Sequence, residues 1–303
     1  MALMCIFTCM LSKAQNATVA LHHEGDVTMY DGEKLQEALN VAVDGDTLFL
    51  SEGAFIGSDT IKSGVAIIGA GTKTRIVGNI VVGEYSGTIE KCSLSLLTLE
   101  STSSSSSGNG DVLIGMPKDF TIFQCKFNNL TTRTISATHR FNTVNVTVVS
   151  CNCSSIPFLF LQSLNIMASK IKSAVVGLNT STYSNCNIGS VTVNQNGAIF
   201  NNCVLGSATS SATYSGCLIK GNADSFSTAY GCWFTDEEVL NEDLDCIYSN
   251  IANCVDDNNV MVGVMGGATK YSLQASTPRV TEHSLTVDNA KKVLNVTLKV
   301  GVE

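Results

Sequence analysis

Apolar residues follow two different periods along this chain. Over residues 31–44, Leu35, Ala38, Leu39 and Ala42 fall at i, i+3, i+4 and i+7, the single stripe of a short amphipathic helix. Asp31 stands where an N-terminal cap is needed, and Gly45 takes the position just past a helix end. Beyond Gly45 the spacing shortens. Thr47-Leu-Phe-Leu50, Ile61, Val65-Ala-Ile-Ile68, Ile76 and Ile80-Val-Val82 read as short strands punctuated by Gly64, Gly69, Gly71, Gly78 and Gly83. Near the C-terminus, Ser284-Leu-Thr-Val287 and Leu294-Asn-Val-Thr-Leu-Lys-Val300 alternate as the arms of a β-hairpin would.

The middle of the chain repeats a phrase: an aromatic residue, one or two small polar residues, Cys, one residue, then usually an apolar residue. It reads Phe123-Gln-Cys125-Lys-Phe127, Tyr183-Ser-Asn-Cys186-Asn-Ile188, Phe200-Asn-Asn-Cys203-Val-Leu205, Tyr214-Ser-Gly-Cys217-Leu-Ile219 and Tyr230-Gly-Cys232-Trp-Phe234. The last four cysteines of this phrase, Cys186, Cys203, Cys217 and Cys232, lie 17, 14 and 15 residues apart. Self-similarity at such a period predicts a stack of similar coils, each about 4.8 Å from the next, that bury their faces only by stacking. Recurring at one phase among apolar neighbours, the thiols read as small hydrophobes turned inward. Cys151-Asn-Cys153 places two thiols on one strand face, which is also a metal-pair spacing. Cys246 and Cys254 fall outside the phase and could pair as a disulfide. Asn185, Asn201-Asn202 and Asn128-Asn129 flank ladder positions, where Asn tolerates left-handed turns.

Composition sharpens this picture. Charged residues make up 15% of 303 residues, and apolar residues 44%. That combination points to short strands and tight turns rather than disorder. Between Asp119 and Asp224 there is no Asp or Glu, whereas residues 221–269 hold nine acids and no Lys or Arg. The acidic block reads as a solvated loop or end cap; the alternative is a Ca²⁺ site built from Asp236, Glu237, Glu238, Asp243 and Asp245, although no calcium-loop spacing is present. No basic, aromatic-interleaved stretch suits nucleic acid. Residues 2–11 are apolar but too short to span a bilayer as a helix, and no other run qualifies. Residues 1–15 read as a secretory signal, with the defect that no Lys or Arg precedes the apolar run.

One stretch carries a resemblance. Leu35-Gln-Glu-Ala-Leu39, Asp44-Gly-Asp-Thr-Leu-Phe-Leu50, Gly53-Ala-Phe55 and Gly64-Val-Ala-Ile-Ile-Gly69 resemble the N-terminal entry of pectin-lyase-like right-handed parallel β-helices. The resemblance spans residues 31–83. It implies an all-β fold: a single-stranded parallel β-helix over residues 16–258, capped by the helix at 31–44. Residues 259–303 would form a β-structured C-terminal cap or tail. The closing phrase Val262-Gly-Val-Met-Gly-Gly267 is similar to the ends of secreted bacterial β-helix proteins, implying a C-terminal β cap or the start of a sorting region; with the signal segment, the expected location is secreted, periplasmic or at the cell surface of a bacterium.

Enzymes of that superfamily mount acids or Ca²⁺-binding carboxylates on their central coils. A lyase needs a base and a cation; a hydrolase needs paired carboxyl groups. The carboxylate-free centre of this chain supplies neither. The remaining candidates for catalysis are Arg133, His139 and Arg140, with Asp111 and Asp119 nearby in sequence. His22-His23 read as surface residues. The expectation is therefore an exported β-helix without catalytic activity, binding a polysaccharide or cell-surface glycan or serving as a scaffold, with no cofactor beyond possible Ca²⁺. One alternative is a polysaccharide lyase or glycoside hydrolase with a non-standard site. The other is a self-assembling surface or appendage component. Sequence leaves the oligomeric state open.

Overall fold

The structure, a computed structural model, describes residues 17–301 except 58, 84–88, 101–111, 116, 133–140, 158–160, 177–179, 194–196, 257, 265, 267–278 and 289–292. Side chains of 141–143, 180, 279–288 and 293–301 are likewise outside the description.

Two long sheets dominate. The first has 12 strands, in the order Asp26–Asp31, Thr18–His23, Thr47–Leu50, Ala66–Ile68, Ile89–Ser95, Pro117–Phe123, Phe141–Val149, Leu161–Met167, Thr180–Ser184, Ala198–Asn201, Thr213–Ser215 and Ala229–Tyr230. The second has 13: ten running back through Trp233–Thr235, Leu218–Lys220, Val204–Leu205, Asn187–Val193, Lys170–Val176, Asn152–Ile156, Lys126–Thr132, Thr98–Glu100, Thr74–Val77 and Gly53–Ile56, and three that branch from Lys126–Thr132. From Thr47–Leu50 onward the chain alternates between the sheets, and each strand pairs in parallel with the next visit to its own sheet. This arrangement is compatible with a parallel β-helix.

Early in the chain a third short row intervenes: Asp59–Ile61, Ile80–Val82 and Val112–Ile114. It ends when the long strand Lys126–Thr132 pairs with Thr98 at one end and with Val112–Ile114 at the other. Losing that row explains why the later repeats shorten.

The period of two sorts each strand into inward and outward residues. The inward register line of the first sheet runs Leu48, Ile67, Leu94, Ile122, Val148, Ile166, Tyr183, Phe200, Tyr214, all fully buried. Tyr183, Phe200 and Tyr214 stack with ring centroids 4.7 and 5.2 Å apart. In the second sheet, Phe127, Cys153, Ile171, Ile188, Leu205 and Ile219 form a matching line.

The cysteine phrase marks the corner between the sheets. One residue there takes a left-handed conformation: Gln124, Ser150, Ala168, Asn185, Asn202, Gly216 and Gly231. The next residue points inward: Cys125, Cys151, Ser169, Cys186, Cys203, Cys217, Cys232. The first six are buried. The thiols are therefore equivalent inward positions, as the spacing predicts, but at the corner rather than within a strand. Asn185 and Asn202 have φ of 55° and 51°, the left-handed turns expected of them.

The helix is Leu35–Val41, preceded by a 3-10 turn at Gly32–Lys34; Leu35, Ala38 and Leu39 face the core. Asp31 makes no side-chain cap. The polar work at this end is done beyond the helix, where Asp46 Oδ2 accepts the Val43 N–H (2.9 Å) and Ser63 Oγ donates to the Ala42 carbonyl (2.8 Å). Ahead of the helix, Thr18–His23 and Asp26–Asp31 form an antiparallel hairpin about Glu24-Gly25, both with positive φ. Thr18–His23 joins this hairpin to the first sheet at Thr47–Leu50.

The acidic segment is irregular chain with solvated acids, as a solvated loop would be, but its apolar residues are packed. Val239, Tyr248, Cys254, Val262 and Val264 pack on Val204 and Leu218, which point outward from the second sheet. The segment is a layer laid on that face, with Asp236, Glu237, Glu238, Glu242, Asp243 and Asp245 exposed.

The chain divides into two compact units, split between Tyr271 and Ser272. In the second unit, Arg279–Asp288 and Val293–Gly301 pair antiparallel as the expected hairpin. The signal segment 1–15 lies outside the described residues.

Candidate functional site

The outward face of the first sheet carries three parallel register lines. The central one runs Ser93, Thr121, Thr147, Asn165, Thr182, five polar uncharged residues on consecutive strands, before Ile199 breaks it. None is buried, and none makes a side-chain hydrogen bond among the described residues. On one flank the line is Lys91, Asp119, Asn145, Ser163. It is satisfied internally: Ser163 Oγ donates to Asn145 Oδ1 (2.7 Å), and Asn145 Nδ2 donates to Asp119 Oδ1 (3.1 Å). On the other flank the line is Ser95, Phe123, Val149, Met167, Ser184, with Phe123 and Met167 exposed.

At its N-terminal end the face deepens into a groove of about 560 Å³, lined by Gly45, Gly64, Ala66, Lys91, Ser93 and Asp119 among others. The depression follows from missing side chains. A Cβ at Gly64 would stand 2.7 Å from the Lys91 carbonyl oxygen, so only glycine fits there.

Asp46 forms one wall of the groove. Its Oδ1 lies 2.8 Å from His23 Nδ1. Burial pushes this carboxyl up, but the Val43 N–H and the His23 hydrogen bond outweigh it, so its pKa is lowered. The same hydrogen bond raises the His23 pKa. The two side chains satisfy each other, as an ion pair whenever His23 is protonated. Asp119, which also lines the groove, is tied to Asn145. Among the described residues the groove thus offers hydroxyls, one ammonium and engaged carboxylates.

The residues singled out in the sequence distribute as follows. Arg133, His139 and Arg140, with Asp111, lie outside the described residues. Asp119 is in the groove. Asp236, Glu237, Glu238, Asp243 and Asp245 are exposed on the outer layer. Glu238 pairs with Lys220, and Asp245 with the buried Lys170 at 2.6 Å. Among the described residues no group of three or more His, Cys, Asp or Glu side chains is placed to hold a metal ion. Cys246 and Cys254 are free thiols, as are Cys151 and Cys153. The His23–Asp46 pair and the hydroxyl line escaped sequence reasoning. The signal for the first was Glu24-Gly25 between two alternating runs, which places His23 at a hairpin end.

No family model, curated protein or solved structure matches the chain.

Proposed function

We propose that the two sheets are walls of a right-handed parallel β-helix of the pectin-lyase-like kind, and that the protein is an exported, non-catalytic glycan binder. The alternation of parallel strands between two sheets supports the first part. The observation that carries the second is the line Ser93, Thr121, Thr147, Asn165, Thr182, whose polar groups have no partner among the described residues, on a sheet whose neighbouring line is internally bonded. Free hydroxyls and amides on a rigid face are donors and acceptors awaiting a polyhydroxylated ligand.

A second reading, a polysaccharide-active enzyme, draws on the convergence of Lys91, Asp119 and Asp46 on one groove. The two are separated by incubating the full-length protein with polygalacturonate, alginate, glycosaminoglycans, glucans, mannans and xylans. Retention on one of these polymers, with no new reducing ends and no unsaturated uronide, is the expected result. Turnover that is lost in Asp119→Asn would replace binding by catalysis.

A further inference from the structure

Resting on the glycan-binding reading, we infer that the ligand is a neutral, extended, β-linked polysaccharide, lying along the stacking direction with about one sugar per strand.

Charge is the first argument. Lys91 and Asp119 are register partners of opposite sign at one end of the face. From Asn145 and Thr147 to Ser184, the described side chains of the three lines include no ionisable group. A uronate polymer would bring a carboxylate to each rung and find no cation to replace its lost water. A neutral sugar brings no such cost.

Shape is the second. A pyranose has an apolar C–H face and a rim of hydroxyls. The sheet offers the matching pair of lines: Phe123, Val149 and Met167 for the faces, and Thr121, Thr147 and Asn165 for the rim. Adjacent strands are about 4.8 Å apart, close to the advance per sugar of an extended β-linked chain, so each sugar meets one rung. Five rungs span roughly 19 Å at that spacing. Beyond Thr182 the line is interrupted by Ile199. The site therefore has a finite length.

The test is titration of cello-, manno- and xylo-oligosaccharides of increasing length into the full-length protein by calorimetry, beside oligogalacturonates. Affinity for one neutral series should rise with each sugar and level off at about five. The triple variant Thr121→Val, Thr147→Val, Thr182→Val keeps β-branched side chains and removes only hydroxyls; it should weaken binding at least roughly tenfold with an unchanged melting temperature. Phe123→Ser, on the flank, should weaken it as well. Binding of oligogalacturonates alone, or neutral binding indifferent to both variants, overturns this inference while leaving a glycan binder. Failure of every glycan to bind overturns the parent reading too.

Discussion

The backbone N–H of Cys203 donates to the Sγ of Cys217, one rung further along the stack, at 3.4 Å. Cys217 Sγ in turn meets the carbonyls of Phe200 (3.3 Å) and Ser215 (3.4 Å). The same link joins Cys125 to Cys151 and Cys217 to Cys232. Where the ladder lacks a thiol, the Cys151 N–H donates to Ser169 Oγ instead, at 3.1 Å. After the left-handed residue the chain has left one sheet and not yet joined the other, so this N–H needs a side-chain acceptor. Sulfur supplies it and fills the corner. Burial pushes the Cys151 thiol up to about 12.

Serine at this corner is therefore a working substitute, and alanine is not. Cys217→Ala leaves the buried Cys203 N–H without its acceptor and opens a small void, and should cost about 1–3 kcal/mol. Cys217→Ser should cost clearly less, as its hydroxyl can copy Ser169. Urea unfolding of the two variants checks the order; equal losses would refute the corner role.

The repeat was legible because every rung must refill the same slot, so Cys and the aromatic before it return at the corner spacing. Ser169 hid one rung because it meets the same need with a different atom. The outer layer was illegible as a layer: Val239, Tyr248, Val262 and Val264 show no period. A trace did exist in Val204-Leu205 and Leu218-Ile219, where alternation gives way to adjacent apolar residues, as in strands buried on both faces. The hydroxyl line was out of reach for another reason. Thr121, Thr147 and Thr182 are neighbours only once register is known, and spacings that vary with the third row do not reveal it.

Asn185 ties that layer to the corner. It holds φ of 55° while its Nδ2 donates to the carbonyls of Val264 (3.2 Å) and Gly266 (3.0 Å). Asn185→Gly keeps the backbone and loses both bonds; a loss of about 1–3 kcal/mol is expected. Asn185→Ala should lose about 1 kcal/mol more, the added cost of a left-handed Cβ. Hydrogen exchange should show the Ile247 and Val262 amides, bonded to Val239 and Cys254, opening first.

The Lys170–Asp245 pair is lopsided: the lysine side chain is 9% exposed, the aspartate 53%. Lys170→Met replaces a buried ammonium by an apolar chain of similar length and should be neutral or stabilising. Asp245→Asn strands the ammonium and should destabilise by about 1 kcal/mol, the exposed partner being screened. The hydrogen bond from Lys170 lowers the Asp245 pKa. Its contribution is thus present above the ordinary carboxylate range and lost as pH falls through the folded value. Denaturant midpoints of both variants from pH 3 to 7 test this: the wild-type advantage over Asp245→Asn should shrink toward the acid end.

Asp59 should act in the opposite sense. It is 5% exposed, has no side-chain partner among the described residues, and burial raises its pKa to about 6. Between about pH 4 and 6 the folded chain then holds a proton that the unfolded chain has released, so stability falls as pH rises across that window. Asp59→Asn retains the shape without the charge. It should gain about 1–3 kcal/mol at pH 7 and nothing at pH 4, flattening the decline. A variant with the wild-type pH profile would mean that Asp59 finds a compensating charge when it ionises.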